Sequence, residues 1–105
     1  MATSLEIERF LQDFKTKLGI WGIFFRDDRG KNANTLLELE IYPSDRERIV
    51  KELNASEYYQ GPVTDTLNNG ADMWVFKKSV KSKMVYIKVT LGIRGSKVIC
   101  ISFHT

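Results

Sequence analysis

The sequence predicts an α+β domain in which N-terminal helices cover one face of an antiparallel sheet that ends in a three-stranded meander. Three observations support this fold class. Apolar residues recur every three or four positions over residues 4–18, which is helical spacing. After about residue 72 the apolar period changes to two, which is strand spacing. The chain has 105 residues, 43% apolar and 28% charged, so residues 1–105 suit a single domain with one core.

The first helix is predicted over residues 4–18. Its apolar stripe consists of Ile7, Phe10, Leu11, Phe14 and Leu18. Ser4, with Thr3 before it, can cap the free amides at the start, and Gly19 is expected to end the helix. Residues 20–25 are apolar, so we expect a short buried strand or extended segment there.

Two more helices are predicted after a turn at residues 26–30, over 32–39 and 44–53. Ser44 and Glu47 have the spacing of a capping box, with the hydroxyl and the carboxylate satisfying each other's backbone amides. The buried stripe of the second of these helices is expected to be Ile49, Val50 and Leu53.

Residues 54–71 are predicted to be a loop, because turn formers recur at Gly61, Pro62 and Asn68–Gly70. The loop carries two adjacent aromatic residues, Tyr58 and Tyr59. Such aromatics more often pack a loop onto the core, and the alternative is a platform on which nucleobases stack.

Three strands are predicted at about 72–79, 83–91 and 97–103. The links between them, residues 81–83 and 92–96, are short turns. Short links make neighbouring strands antiparallel, so these three strands form the meander.

Alternation along the strands assigns their two faces. The core face is expected to carry Val85, Ile87, Val89, Leu91, Ile99, Ile101 and Phe103. The open face is expected to carry Tyr86, Lys88, Thr90, Ser102 and His104. The first strand adds either Trp74, Phe76 and Lys78 or Val75, Lys77 and Ser79 to the open face.

Positive charge is concentrated in the second half of the chain. Residues 1–60 contain 9 Lys and Arg against 11 Asp and Glu, whereas residues 61–105 contain 7 against 2. A local basic excess attracts polyanions such as nucleic acid, although lysines at a sheet edge also serve simply to block aggregation.

The residue types on the open face suit proton transfer and phosphate binding without an acid. Tyrosine, histidine and lysine can together stabilise or cleave a phosphodiester, and the alternative is an ordinary polar face in contact with water. The single Cys and the single His make a protein-only metal site improbable, so neither metal nor cofactor is expected. Cys100 and His104 lie roughly 13 Å apart along a strand, too far for a nucleophile pair. No secretory signal or membrane span is expected, and a reducing cytoplasm is the expected compartment.

Three segments carry a resemblance to a known family. They are Ala71–Phe76 (ADMWVF), Val85–Thr90 (VYIKVT) and Val98–Phe103 (VICISF). Their Trp…Tyr-x-Lys-x-Thr…Ser-Phe pattern resembles the MqsR toxins of bacterial type II toxin–antitoxin systems. Ser56–Pro62 (SEYYQGP) falls in the matching order upstream, and the likeness extends over roughly residues 30–104.

The resemblance implies a RelE-like fold and a metal- and ribosome-independent mRNA endoribonuclease that a cognate antitoxin neutralises. One of the family's four site positions is retained, as Tyr86. The other three hold Gln60, Val75 and His104 where the family has Lys, Gln and Lys. Histidine can replace a catalytic lysine because it gives or takes a proton near neutral pH.

The leading hypothesis is therefore an RNA-cleaving toxin. The expected catalytic residues are Tyr86, His104 and Lys88, and the expected substrate-binding residues are Gln60, Tyr59, Lys77 and Lys78. Its partners would be mRNA and the antitoxin. The alternative is a catalytically inactive module of the same fold, which binds nucleic acid or a partner protein through its basic face.

Overall fold

The computed structural model describes residues 1–28, 30–67 and 70–105. The helices are α1 (Ser4–Trp21), α2 (Lys31–Leu39), α3 (Pro43–Lys51) and a single 3-10 turn (Ala55–Glu57). The strands are β1 (Ile23–Phe25), β2 (Tyr58–Val63), β3 (Met73–Val80), β4 (Lys83–Thr90) and β5 (Val98–His104). Arg29, Asn68 and Asn69 of the predicted turns lie outside the described residues.

The strands form one five-stranded sheet in the order β1-β5-β4-β3-β2. The predicted α+β class and the antiparallel meander β3-β4-β5 are confirmed. The sheet is mixed rather than antiparallel throughout, because β1 pairs in parallel with β5 and places Ile23 opposite Val98. No helix in the described part of the chain is long and apolar enough to cross a bilayer.

Helix α1 begins with a reciprocal cap and runs further than predicted. The Glu6 amide donates to Thr3 Oγ1 at 3.2 Å, and the Thr3 amide donates to Glu6 Oε1 at 3.0 Å. The predicted end at Gly19 is wrong, because the helix continues to Trp21. It ends at Gly22, whose φ of 88° lies in the region that side chains with a Cβ rarely adopt.

Helix α3 is capped differently from the prediction. Pro43 occupies the first turn, where its missing amide donor costs nothing. The Tyr42 amide donates to Asp45 Oδ2 at 2.8 Å. The predicted capping box of Ser44 and Glu47 is therefore wrong, because the proline moves the start of the helix upstream.

All three helices contribute to one core on a single face of the sheet. Phe10 of α1 stacks on Trp74 of β3 with ring centroids 4.6 Å apart. Leu39 of α2 and Val50 of α3 belong to the same buried cluster, and Phe103 of β5 is fully buried within it. The residues predicted to form the apolar stripe of α1 are all buried there.

Strand β5 contains a β-bulge that the alternation does not reveal. Val89 of β4 lies opposite Cys100, whereas the adjacent Lys88 lies opposite Ser102. Ile101 is therefore an extra residue on β5 with no partner on β4. Beyond the bulge, side chains on β5 change faces by one position.

The bulge changes which residues of β5 reach the core. Val98, Cys100 and Phe103 are fully buried in the core cluster. The predicted core positions of Ile99 and Ile101 are wrong, since both are only half-buried and lie outside that cluster. The prediction for Phe103 is correct because it lies past the extra residue.

Strand β2 occupies part of the segment that was predicted to be a loop. Gly61 and Pro62 made the stretch resemble a turn, but β2 is an edge strand, where a proline is tolerated. A Cβ at Gly61 would lie 3.0 Å from the Met73 carbonyl oxygen, so only glycine lets β2 approach β3 this closely. Tyr58 packs onto the core beside Trp74, as the commoner reading of that aromatic predicts.

Candidate functional site

The register of the sheet aligns three predicted site residues across adjacent strands, on the face that the helices leave uncovered. Lys77 of β3 lies opposite Tyr86 of β4, and Tyr86 lies opposite His104 of β5. The Tyr86 and His104 rings stack, with centroids 5.3 Å apart and planes 16° from parallel. The Lys77 ammonium lies 3.8 Å from the centroid of the Tyr59 ring. We call these four side chains the aromatic row.

A second row lies two residues away along strands β3, β4 and β5, on the same face. Gln60, Val75, Lys88 and Ser102 occupy successive paired positions on β2, β3, β4 and β5. Ser102 faces the same way as Lys88 because of the bulge at the preceding residue. We call the surface that contains both rows the site face.

The site face contains most of the predicted site residues. The structure also decides which of the two sets of β3 residues lies on this face. Register places Val75, Lys77 and Ser79 on this face and Lys78 on the opposite face. Lys78 is ion-paired there with Glu57 at 3.0 Å. Lys78 therefore lies apart from the predicted substrate-binding group.

Thr90 also differs from its predicted role as an open-face group. It is 4% exposed, and its hydroxyl lies 3.0 Å from the carbonyl oxygens of Ala71 and Asp72. One hydroxyl proton is thus directed at the backbone of the segment before β3. Thr90 fixes that segment and is unavailable to a substrate.

A cleft of about 340 Å³ opens at the β5 end of the site face. Its walls come from the β1–α2 turn, the start of α2, the segment after β2, and strands β3 to β5. The lining includes Arg26, Lys31, Lys88, Ser102 and His104. Lys88 and His104 therefore belong both to the two rows and to the cleft.

Arg26 and Lys31 were missed by the sequence analysis. They lie in the half of the chain that carries net negative charge, and the pattern of the C-terminal strands gives no information about that half. The parallel pairing of β1 with β5 brings the end of β1 beside the bulge. A prediction of that pairing was the one signal that could have placed them near His104.

Asn32 holds the bulge in place with its side-chain amide. It is 6% exposed, and its Nδ2 donates to the carbonyl oxygens of Arg26 at 2.6 Å and Ile101 at 3.0 Å. Its Oδ1 accepts from the Phe103 amide at 3.0 Å. The Asn32 amide thus satisfies the backbone groups on both sides of Ser102. At this point of β5 the neighbouring strand β1 has ended and offers no backbone partner.

The orientation of His104 leaves one imidazole nitrogen free for chemistry in one tautomer. Nδ1 lies 3.3 Å from the backbone oxygen of Thr105. When Nδ1 carries the proton, it donates to that oxygen and Nε2 keeps its lone pair. Stacking on Tyr86 restrains the plane of the ring.

Cys100 has no part in this chemistry. Its side chain is fully buried, and burial raises the pKa of the thiol to about 12. A thiol with such a pKa is protonated at neutral pH and is a poor nucleophile. The interpretation of Cys100 as a small packed side chain is confirmed.

Metal-ligating side chains do not cluster anywhere in ranges 1–28, 30–67 and 70–105: no group of three or more His, Cys, Asp and Glu residues could hold an ion. Comparisons with protein-family models, curated proteins and solved structures find no match for this chain. Its function must therefore be argued from the site face itself.

Proposed function

We propose that the protein is an mRNA endoribonuclease that cleaves RNA by metal-independent general acid–base catalysis in the cytoplasm. In keeping with the resemblance to the MqsR toxins, it would act as a toxin neutralised by a cognate antitoxin. The observation that supports the proposal is the strand register, which sets Tyr86 and His104 side by side with Lys88 two residues after Tyr86 on the same face.

These residues supply the groups that cleavage of a phosphodiester by its own 2′-hydroxyl requires. His104 Nε2 removes the 2′-hydroxyl proton, and the 2′-oxygen forms a bond to the adjacent phosphorus. The bond from phosphorus to the 5′-oxygen breaks, and the Tyr86 hydroxyl gives that oxygen a proton. The products are a 2′,3′-cyclic phosphate and a 5′-hydroxyl.

Lys88 stabilises the negative charge that develops on the phosphate oxygens. It lies two residues after Tyr86 on the same face of β4. It makes no ion pair with any described residue. A cation placed in advance where charge appears lowers the barrier without further rearrangement.

The remaining residues of the rows contact the rest of the substrate. Tyr59 is 49% exposed and offers a ring for base stacking beside the Lys77 ammonium. Gln60 can hydrogen-bond a base edge from the neighbouring row. These contacts would hold single-stranded RNA across the sheet.

The test uses purified protein and a long mRNA, without ribosomes and with excess EDTA. We expect cleavage by the wild type and a loss of about 100-fold or more for His104→Ala, which is typical of removing a general acid or base. Tyr86→Phe should also lose activity. Tyr42→Phe, at the exposed start of α3, is the matched control and should cleave normally. Unchanged cleavage by His104→Ala would contradict the proposal.

One observation favours a binding module as the second candidate. Val75 occupies the middle of the second row and is 1% exposed, where the resemblance expects a glutamine. A buried valine can neither donate a proton nor bind a phosphate. RNA that is retained by the wild type but never cleaved would support this candidate over the enzyme.

A further inference from the structure

We propose that the cleft beside His104 is a phosphate-binding subsite that holds the phosphodiester next to the reacting one, through Arg26 and Lys31. The inference rests on the proposed function, because it assumes that RNA is the ligand of the site face. It adds a stretch of substrate and two residues to that function.

The charge of the lining points to an anion. Among the described residues of the lining, Arg26, Lys31 and Lys88 contribute three positive charges, and Asp65 contributes the single carboxylate. Asp65 is 8% exposed and already interacts within the protein. The hydroxyls of Thr64, Thr66 and Ser102 also line the cleft and can donate to phosphate oxygens.

The three cations of the cleft differ from three other lysines on or beside the sheet. Lys78 is paired with Glu57, Lys83 lies 3.6 Å from a Glu38 oxygen, and Lys81 donates to the Glu40 carbonyl at 3.0 Å. By contrast, none of the cleft cations forms an ion pair within the described ranges. Their positive charge is therefore left for a ligand.

Arg26 and Lys31 come together because two structural features converge. The Arg26 amide donates to the Cys100 carbonyl at 3.0 Å, which extends the β1–β5 pairing to the edge of the bulge. Asn32, the neighbour of Lys31 on α2, is bonded to the far side of the same bulge. The backbone thus fixes both cations beside Ser102, while their side chains form no hydrogen bond or ion pair with the residues that the structure describes.

The cleft is continuous with the proposed reaction site, since His104 and Lys88 line both. An RNA strand whose reacting phosphate lies between them can place its neighbouring phosphate between Arg26 and Lys31. A guanidinium binds a phosphate with two parallel hydrogen bonds, and the ammonium adds a point charge. Such a subsite contacts only the backbone, so it should act on every base sequence alike.

The test measures binding to a 2′-O-methyl RNA oligonucleotide, which lacks the attacking hydroxyl and cannot be cleaved. Affinity is measured at several salt concentrations for the wild type, for Arg26→Gln/Lys31→Gln and for Arg94→Gln/Lys97→Gln. The last pair is the matched control, because it removes the same charge from the exposed β4–β5 loop. Arg26 is half-buried and Lys31 exposed, and neither side chain makes a hydrogen bond to another described residue, so the first pair should fold normally.

We expect the cleft pair alone to flatten the dependence of log Kd on log salt, by about 0.7 for one lost phosphate contact on a single strand. An equal effect of both pairs, or no effect of either, would overturn the subsite. A change seen only with a 5′-phosphorylated oligonucleotide would also overturn it, because a terminal phosphate would then be the ligand. The readout is independent of cleavage: if the 2′-O-methyl RNA binds through the cleft but unmodified RNA is never cut, the proposed function is refuted and the subsite stands.

Discussion

Replacement of Asn32 by leucine should destabilise the protein strongly, although leucine has nearly the same size. The side chain is 6% exposed and makes three hydrogen bonds to backbone groups on two sides of the β5 bulge. Leucine removes all three bonds at once and offers no polar atom in exchange.

The magnitude follows from the three groups that lose their partner. The Phe103 amide is buried, and leaving it unsatisfied costs about 1–3 kcal/mol. The bonds to the Arg26 and Ile101 carbonyls are partly buried, and each is worth about 0.5–1.5 kcal/mol because water can replace the donor. Together the loss is about 2–6 kcal/mol, against a total stability of about 5–15 kcal/mol for a typical domain.

Urea unfolding followed by tryptophan fluorescence measures this loss directly. Asn34→Leu is the matched control, because Asn34 lies on the same helix and is exposed. Hydrogen exchange at the Phe103 amide gives a second readout, and it should become much faster in the Asn32 variant. If Asn32→Leu costs no more than Asn34→Leu, the argument that this amide secures the bulge is wrong.

The remaining predictions concern the thiol of β5 and two glycines. Cys100 should resist thiol reagents in the folded protein at pH 8 and react once urea unfolds it. Folding raises the pKa of this thiol from 9.0 to about 12, so the unfolded chain loses the proton at lower pH than the folded protein does. The free energy of unfolding should therefore fall by roughly 4 kcal/mol as the pH rises between these two values. A Cys100→Ala variant should lack this contribution to the pH dependence of stability in urea titrations. Gly61→Ala should destabilise by more than about 1 kcal/mol, because its φ is 133° and a Cβ would meet the backbone of Met73 and Trp74 at 3.0 and 3.1 Å. Gly19→Ala, inside α1 with open space around it, should instead stabilise by about 0.5–1 kcal/mol, and equal melting temperatures for these two glycine variants would refute the comparison.

The sequence was most informative where one period persists over a whole element. The stripe of α1 and the alternation of β4 from Val85 to Val89 both identified buried residues correctly, because each packs one continuous face against the core. The pairing of β3 with β4 followed from the short turn predicted at residues 81–83. In the structure this turn has two residues, Lys81 and Ser82, both with positive φ. That pairing is also what brings Tyr86 beside Lys77.

Features that depend on contacts distant in the chain were not predictable in this way. The bulge at Ile101 is fixed by Asn32, 69 residues earlier, and no local pattern on β5 announces it. Strand β2 has a turn-like composition, and only its position at the sheet edge makes Pro62 acceptable there. Arg26 and Lys31 reach the site through the parallel pairing of β1 with β5. The prediction of strand pairing relied on short turns, which join only antiparallel neighbours.

The order of the strands has a consequence for folding of the chain during its synthesis. Strand β5, which follows the other four in chain order, lies inside the sheet between β1 and β4. Until Val98–His104 has been synthesised, β1 lacks the strand that joins it to the hairpin of β3 and β4. His104 is the final residue of β5. The pairing of β5 with β4 therefore completes the sheet and the site face in one step, because it also brings His104 beside Tyr86.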